Sequence, residues 1–428
     1  MGDVVEDIYP VEDFPHNKFY AKVEQGVTTQ DYYPLQDCVR LIAVSPDSFQ
    51  RSAFNLECGC STYILDIGRS DLGGAGLSHR RKRSPSLSPL PLPRSFWVDD
   101  CYFEDDSSTS WWEVSYTISA IATGSYAYLA FTPSEPKYLN ISSIRRVSGP
   151  VVDPVPLSDE VSLPLELEFT TDKPFKLTAF HVGQGMCSLF SNEKLGYLLD
   201  AGAGTPITRD VYRKNLHRTG VPFVNDLSAI ISGHEQISAI ISHADSDHWR
   251  MLEWDEGLLE ITSTVYLPAG RPALAFSSPL VKGKVVGIRD KLISFGPHDR
   301  LEVYRSDPSV SDKNGDSLVV VVNCQQKQAL YPGDYVYDRM AVDGNLSIAT
   351  LAEARFDAVV VPHHGDEASA WVMPWPKVPD ESQAFFSAGT HAGYGHPTNA
   401  SLSAHERKGF VNIDKHTCSH IRAHHLLP

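Results

Sequence analysis

Residues 241–250 constrain this chain more than any other stretch: Ile-Ser-His243-Ala-Asp245-Ser-Asp247-His248-Trp-Arg. They close an apolar run, 237–241, that reads as a short buried strand. Alternate side chains of an extended segment leave the same face, so His243 and Asp245 emerge together. Asp247 and His248 fall where the chain turns into a helix expected over 249–256. Four donors within six residues, delivered at a strand end, suit one or two divalent cations. Imidazole nitrogen accommodates zinc, manganese or iron, and carboxylate oxygen bridges ions or orients water. The plain alternative is a polar turn with Ser246 or Asp247 as a helix N-cap. A cap requires one such side chain, and this turn offers four.

Further donors stand at other expected strand ends. Asp334 follows Gly333, where a glycine lets the backbone approach closely; the alternative is an ordinary Pro-Gly-Asp turn. The doublet His363-His364 follows Val-Val-Val-Pro. Core histidines are seldom paired at a strand end, so at least one of the two is expected to bind metal. His396, in Gly-His-Pro, is either a functional imidazole or part of a helix-entry loop.

These pieces belong to an ordered set. His181-Val-Gly-Gln-Gly185, Leu198-Leu-Asp200-Ala-Gly202, the His243 to His248 motif, Asn314-Gly-Asp-Ser317, Leu330-Tyr-Pro-Gly333-Asp334, Val361-Pro-His363-His364-Gly365 and Ser387-Ala-Gly389 with Tyr394-Gly-His396-Pro397 follow one another over residues 174–410. Together they resemble the metallo-β-lactamase fold in its ComEC-like competence-protein branch, which carries Asp where most of the superfamily has a second His, as at Asp245.

The resemblance implies an α+β protein: an αββα sandwich over residues 166–415. It implies that His243 and Asp245 hold one cation and Asp247 and His248 the other. Asp334 would bridge them, and His363 or His364 would complete the second position. Asp200 would orient a histidine from behind, with Asn314 and Ser317 also supporting the site. The cofactor expected is one or two cations, zinc or manganese, about 3.5–4 Å apart when paired and sharing a hydroxide as nucleophile. Asp247 would orient that hydroxide or take its proton, and His396 would bind a phosphate oxygen or protonate the leaving group. The chain departs from the pattern at His181 and Met186, which replace acids. Trp249-Arg250 replaces small residues, and Asp366 replaces Ser. Asn314 and Ser317 stand where most of the superfamily supplies another His, so one position is expected to be oxygen-rich. These departures spare the ligands and bear on substrate class.

A length of 428 residues allows two or three domains. Residues 1–30 read as a mobile arm. Residues 31–148, with aromatic and β-branched runs, read as a small β-rich domain that could meet a protein partner. A Pro/Ser/Arg-rich loop, 71–95, interrupts it. Residues 149–165 read as a proline-rich linker, and residues 416–428, with His416, His420, His424 and His425, as a solvated tail. Seven scattered cysteines fit a reducing compartment, and Cys38, Cys58, Cys60 and Cys101 are too irregularly spaced for a usual zinc knuckle. An acidic start without an apolar core and no apolar stretch of membrane-spanning length predict a cytoplasmic protein with no membrane association.

The net charge of −16 argues against a protein that grips long duplex DNA. The leading expectation is a metallohydrolase acting on phosphodiester bonds of nucleic acid or nucleotides. The alternatives are a small-molecule esterase or lactonase, which the acidic charge favours, and a non-catalytic metal- or nucleotide-binding sensor or scaffold.

Overall fold

The computed structural model describes residues 14–33, 36–52, 54, 56, 59–74, 110–158, 174–295, 298–309, 314–389, 394–415 and 418–428. The chain divides into two compact units: residues 1–28, 37–153 and 272–283, and residues 29–36, 154–271 and 284–428.

The first unit is a closed barrel of six strands, in the order Lys18–Thr29, Asp37–Val44, Thr62–Gly68, Ser125–Leu129, Lys137–Val147 and Trp111–Ser119. Trp111–Ser119 pairs back onto Lys18–Thr29 and closes the ring. The expectation of a mobile arm over residues 1–30 is corrected here, since Lys18–Thr29 is a barrel strand. Its face is apolar only at alternate positions: Phe19 and Ala21 are buried, Val23 packs beside them, and polar residues lie between. That suffices in a barrel, where one face of each strand meets the core. Residues 1–13 and 75–109, which include most of the basic, proline-rich loop, lie outside the described residues. Cys38 and Cys60 are buried, and Cys58 and Cys101 lie outside the described residues.

The second unit is mixed α/β and dominated by two seven-stranded sheets. The first runs Val285–Ile288, Thr262–Pro268, Gln236–Ile240, Leu195–Ala201, Cys187–Ser191, Lys176–His181, Arg422–Leu427. Its first four strands are parallel and the rest antiparallel. The second runs Lys291–Ser294, Arg300–Arg305, Leu318–Cys324, Lys327–Tyr331, Ala358–Val360, Gln383–Phe386, Val411–Asp414. There the last four strands are parallel.

One core cluster draws on both sheets, with Leu177, Phe190 and Leu199 from the first and Val320, Val322 and Phe385 from the second. The strand Leu318–Cys324 explains why its sequence is apolar at nearly every position. Leu318, Val320 and Val322 enter this cluster, while Val319 and Val321 join another on the opposite face with Tyr337, Met340, Ile348 and Ala404. A strand covered on both sides needs no polar alternation. The helix Asn399–Lys408 is capped by Thr398 Oγ1 and ended by Gly409 at φ 102°.

The expected solvated tail is also corrected. Arg422–Leu427 pairs antiparallel with Lys176–His181, and Leu426 and Leu427 enter the core. His425 Nδ1 lies 2.9 Å from Thr178 Oγ1, and His424 Nε2 lies 2.8 Å from Gln383 Oε1. His420 is half-buried against His217, and His416 lies outside the described residues. Part of the expected linker is integrated as well: Val155 N donates to Arg271 O at 2.9 Å and Ser158 N to Gly287 O at 2.9 Å. No helix among the described residues is long and apolar enough to cross a membrane.

Candidate metal centre

Strand topology gathers the site. Asp200, His243, Asp334 and His364 lie at or just beyond the carboxyl ends of Leu195–Ala201, Gln236–Ile240, Lys327–Tyr331 and Ala358–Val360, the edge where α/β sheets collect ligand-binding residues. After His243 the chain makes one 3-10 turn, Ser246–His248, and then the short helix Arg250–Trp254. Neither is capped by a side chain, so the N-cap reading of this turn fails. Gly202 admits this turn: a Cβ there would lie 1.6 Å from Asp247 O.

Asp200 is wholly buried and accepts four hydrogen bonds. They come from Ser242 N at 2.6 Å, Ser242 Oγ at 2.8 Å, Tyr331 OH at 3.0 Å and His248 Nδ1 at 2.6 Å. Because a carboxylate can only accept, His248 carries its proton on Nδ1 and turns Nε2 inward. His364 is set the same way by main chain, its Nδ1 donating to Ser387 O at 2.8 Å. The Nε2 atoms of His248 and His364 and Asp334 Oδ1 are buried without a hydrogen-bond partner among the described residues.

Those atoms converge. Asp334 Oδ1 lies 3.2 Å from His248 Nε2 and 3.7 Å from His364 Nε2. Its other oxygen, Oδ2, lies 3.8 Å from His243 Nε2 and 3.9 Å from His363 Nε2. Asp247 Oδ2 lies 3.3 Å from His364 Nε2, and Asp245 Oδ2 lies 3.8 Å from His243 Nε2. Among the described residues, two sets of donors come close enough together to hold an ion: His243, His248 and Asp334, and Asp247, His248 and His364. Buried inward-facing imidazole and carboxylate groups are the donor set that a borderline divalent cation takes, so the residues fit the expected group.

The charges reinforce one another. Burial works against ionisation of Asp334, yet His248, His364 and His363 hold its carboxyl well below the usual range. Burial likewise raises Asp247, but the His364 hydrogen bond and the charges of His248 and His364 bring it down to about 2. His248 is desolvated and still raised, by Asp334 and Asp200.

The remaining expected site residues are less uniform. His396 stands beside the cluster, its ring 5.6 Å from that of His363 and 6.4 Å from that of His364. Its Nδ1 is buried without a partner among the described residues, and burial, then the charges of His364 and His363, lower it to about 3. Asn314 Nδ2 lies 3.4 Å from His363 Nε2. Ser317 is tied to Ser306 through its backbone, and none of its described hydrogen bonds reaches the cluster. Sequence reasoning quoted Ser242, Tyr331 and Ser387 within motifs but gave them no role, since their relation to the site depends on strand pairing. It noted Asp366 only as a departure, although the residue hydrogen-bonds His363.

No family model matches the chain, and no curated protein is similar to it in sequence. Among solved structures it is similar to CmlA, a diiron beta-hydroxylase from Streptomyces venezuelae, at 12% identity and a TM-score of 0.35, covering 59% of this chain and 55% of that one. It is similar to the metallo-beta-lactamase fold protein YhfI from Bacillus subtilis at 14% identity and a TM-score of 0.33, covering 58% of this chain and 100% of that one. A protein of unknown function from Enterococcus faecalis is similar at 15% identity and a TM-score of 0.29, covering 44% of this chain and 49% of that one. The chain thus spans about half the length of CmlA and of the Enterococcus protein.

Proposed function

We propose that this chain is a metallohydrolase of the metallo-β-lactamase fold that holds one or two divalent cations, zinc or manganese, and cleaves phosphodiester bonds in nucleotides or nucleic acid. The observation that carries the reading is the position of Asp334, with one carboxylate oxygen toward His248 and His364 and the other toward His243 and His363. Cations held there supply Lewis acidity and lower the pKa of water. His248 and His364 present Nε2 because Asp200 and Ser387 occupy their Nδ1 protons. Asp245 and Asp247 add oxygen donors. Asp247 is ionised at neutral pH, and we assign it as the acceptor of a proton from an attacking water. His396 is neutral in the same range and offers a hydrogen bond to charge developing on a substrate oxygen. The phosphodiester class is supported by the order of the sequence motifs, and the charge of −16 favours small or single-stranded substrates over duplex.

The test is metal analysis of purified protein, followed by assays with manganese or zinc on a phosphodiester, a carboxylate ester and a lactone. One to two equivalents of metal are expected, with turnover of the phosphodiester that disappears in Asp247→Ala. Turnover retained by that variant overturns the site. Cleavage of only the ester or the lactone reassigns the substrate. Metal uptake without turnover of any probe leaves a binding protein.

A further inference from the structure

His363 and His364 are consecutive, and both have left-handed backbone (φ 48° and 56°), a conformation that L-residues rarely adopt and that clusters at functional sites. The turn separates their rings, with centroids 6.3 Å apart, and sends the two Nε2 atoms to different oxygens of Asp334. The two imidazoles are held by different means. His364 is buried and anchored by the Ser387 carbonyl. His363 keeps a third of its side chain exposed, and its Nδ1 bonds Asp366 Oδ2 at 2.9 Å.

Asp366 is itself fixed. Its Oδ1 accepts from Ser369 N at 2.9 Å and Ser369 Oγ at 2.7 Å, which leaves Oδ2 for the imidazole. A carboxylate on Nδ1 sets the tautomer, aims the Nε2 lone pair inward and makes that nitrogen a stronger donor. On that side, Asp334 Oδ2 faces His243 Nε2 at 3.8 Å and His363 Nε2 at 3.9 Å. Residues 314–317 supply no imidazole, and Asp316 is engaged by Arg271 and Arg305.

Resting on the metal-centre reading above, we propose that Asp366 is a positioning residue that holds His363 as a further nitrogen donor, beside His243, at Asp334 Oδ2.

The test is a cobalt(II) titration of the full-length protein, followed by stoichiometry and visible absorption. Asp366→Ala and His363→Ala should each weaken one equivalent by about 10–100-fold and alter the same absorption bands, with the double variant no worse than either. Asp366→Asn has one acceptor oxygen for His363 Nδ1–H and the two Ser369 donors, and carries no charge, so it should weaken the same equivalent and alter the same bands. That variant also serves if Asp366→Ala does not fold. Wild-type affinity and spectrum in both Asp366 variants overturn the proposal while leaving the metal centre standing. So does a loss in Asp366→Ala that His363→Ala does not share. A wild-type chain that takes up no cobalt overturns the metal-centre reading itself, and this inference with it.

Discussion

His248 Nδ1 lies 2.6 Å from Asp200 Oδ2, and both side chains are wholly buried. The same carboxylate takes bonds from Ser242 and Tyr331, so it has little freedom to follow a displaced imidazole. Asp200→Asn keeps the shape but removes the charge and half of the acceptor capacity. Metal affinity should fall by about 10–100-fold, as when other carboxylates behind a ligating histidine are removed. Competition with a chelator of known affinity measures this, and an unchanged value would sink the argument that Asp200 sets the tautomer.

Gly202 is the steric counterpart of that bond. A methyl group there would meet Asp247 O at 1.6 Å and His248 Cα at 2.7 Å, so the turn carrying two donors must move. Gly202→Ala should cost at least about 2–3 kcal/mol of stability and abolish tight metal binding. Gly233→Ala is the control, because nothing lies within 4 Å of a Cβ there. Denaturant unfolding and metal titration of both variants check the pair; equal behaviour would show that the turn has slack.

The residues brought together at the centre were legible wherever a strand end delivered a donor at a fixed point in a motif. Asp200, His243, Asp247, His248, Asp334 and His364 are of this kind, because a parallel strand carries its polar residues to one edge. Legibility failed where a partner is set by chain crossing. Nothing local in Arg422–Leu427 says that it will pair with Lys176–His181, or in Lys18–Thr29 that it will help close a barrel. Residues 272–283 belong to the first unit although the sequence around them belongs to the second. Asp366 could be noticed but not assigned, since its role depends on Ser369 holding one oxygen and the left-handed turn presenting His363 to the other.

His405 gives a pH signature away from the site. It is wholly buried among Tyr337, Phe386 and Phe410, and its Nδ1 donates to Ser401 O at 2.8 Å. Burial lowers it to about 4, against a partial offset from the Ser401 carbonyl. Between pH 6.5, the ordinary histidine value, and 4 the unfolded chain takes up a proton that the folded chain refuses, so stability falls as pH falls through this window. The full loss is about 3 kcal/mol at pH 4 and below. His405→Leu should flatten that part of the profile and leave stability above pH 7 little changed. Parallel acid limbs in the two proteins would show that another group controls them.

In the barrel, Arg40 and Asp66 sit opposite each other on neighbouring strands with no exposed side-chain area. Arg40 Nε and Nη2 reach Asp66 Oδ1 and Oδ2 at 2.7 and 2.8 Å, and Tyr126 OH adds a bond to Oδ2 at 2.6 Å. Both charges are taken out of water, so removing one takes away a main compensation of the other. Asp66→Ala should therefore cost about 3–5 kcal/mol. Replacing the pair by apolar residues of similar volume, Arg40→Met with Asp66→Leu, should recover most of that loss, although Tyr126 then loses its acceptor. Urea unfolding of the single and double variants separates the cases. A double variant as unstable as Asp66→Ala would mean that the barrel depends on this ion pair itself and not merely on avoiding a poorly compensated buried charge.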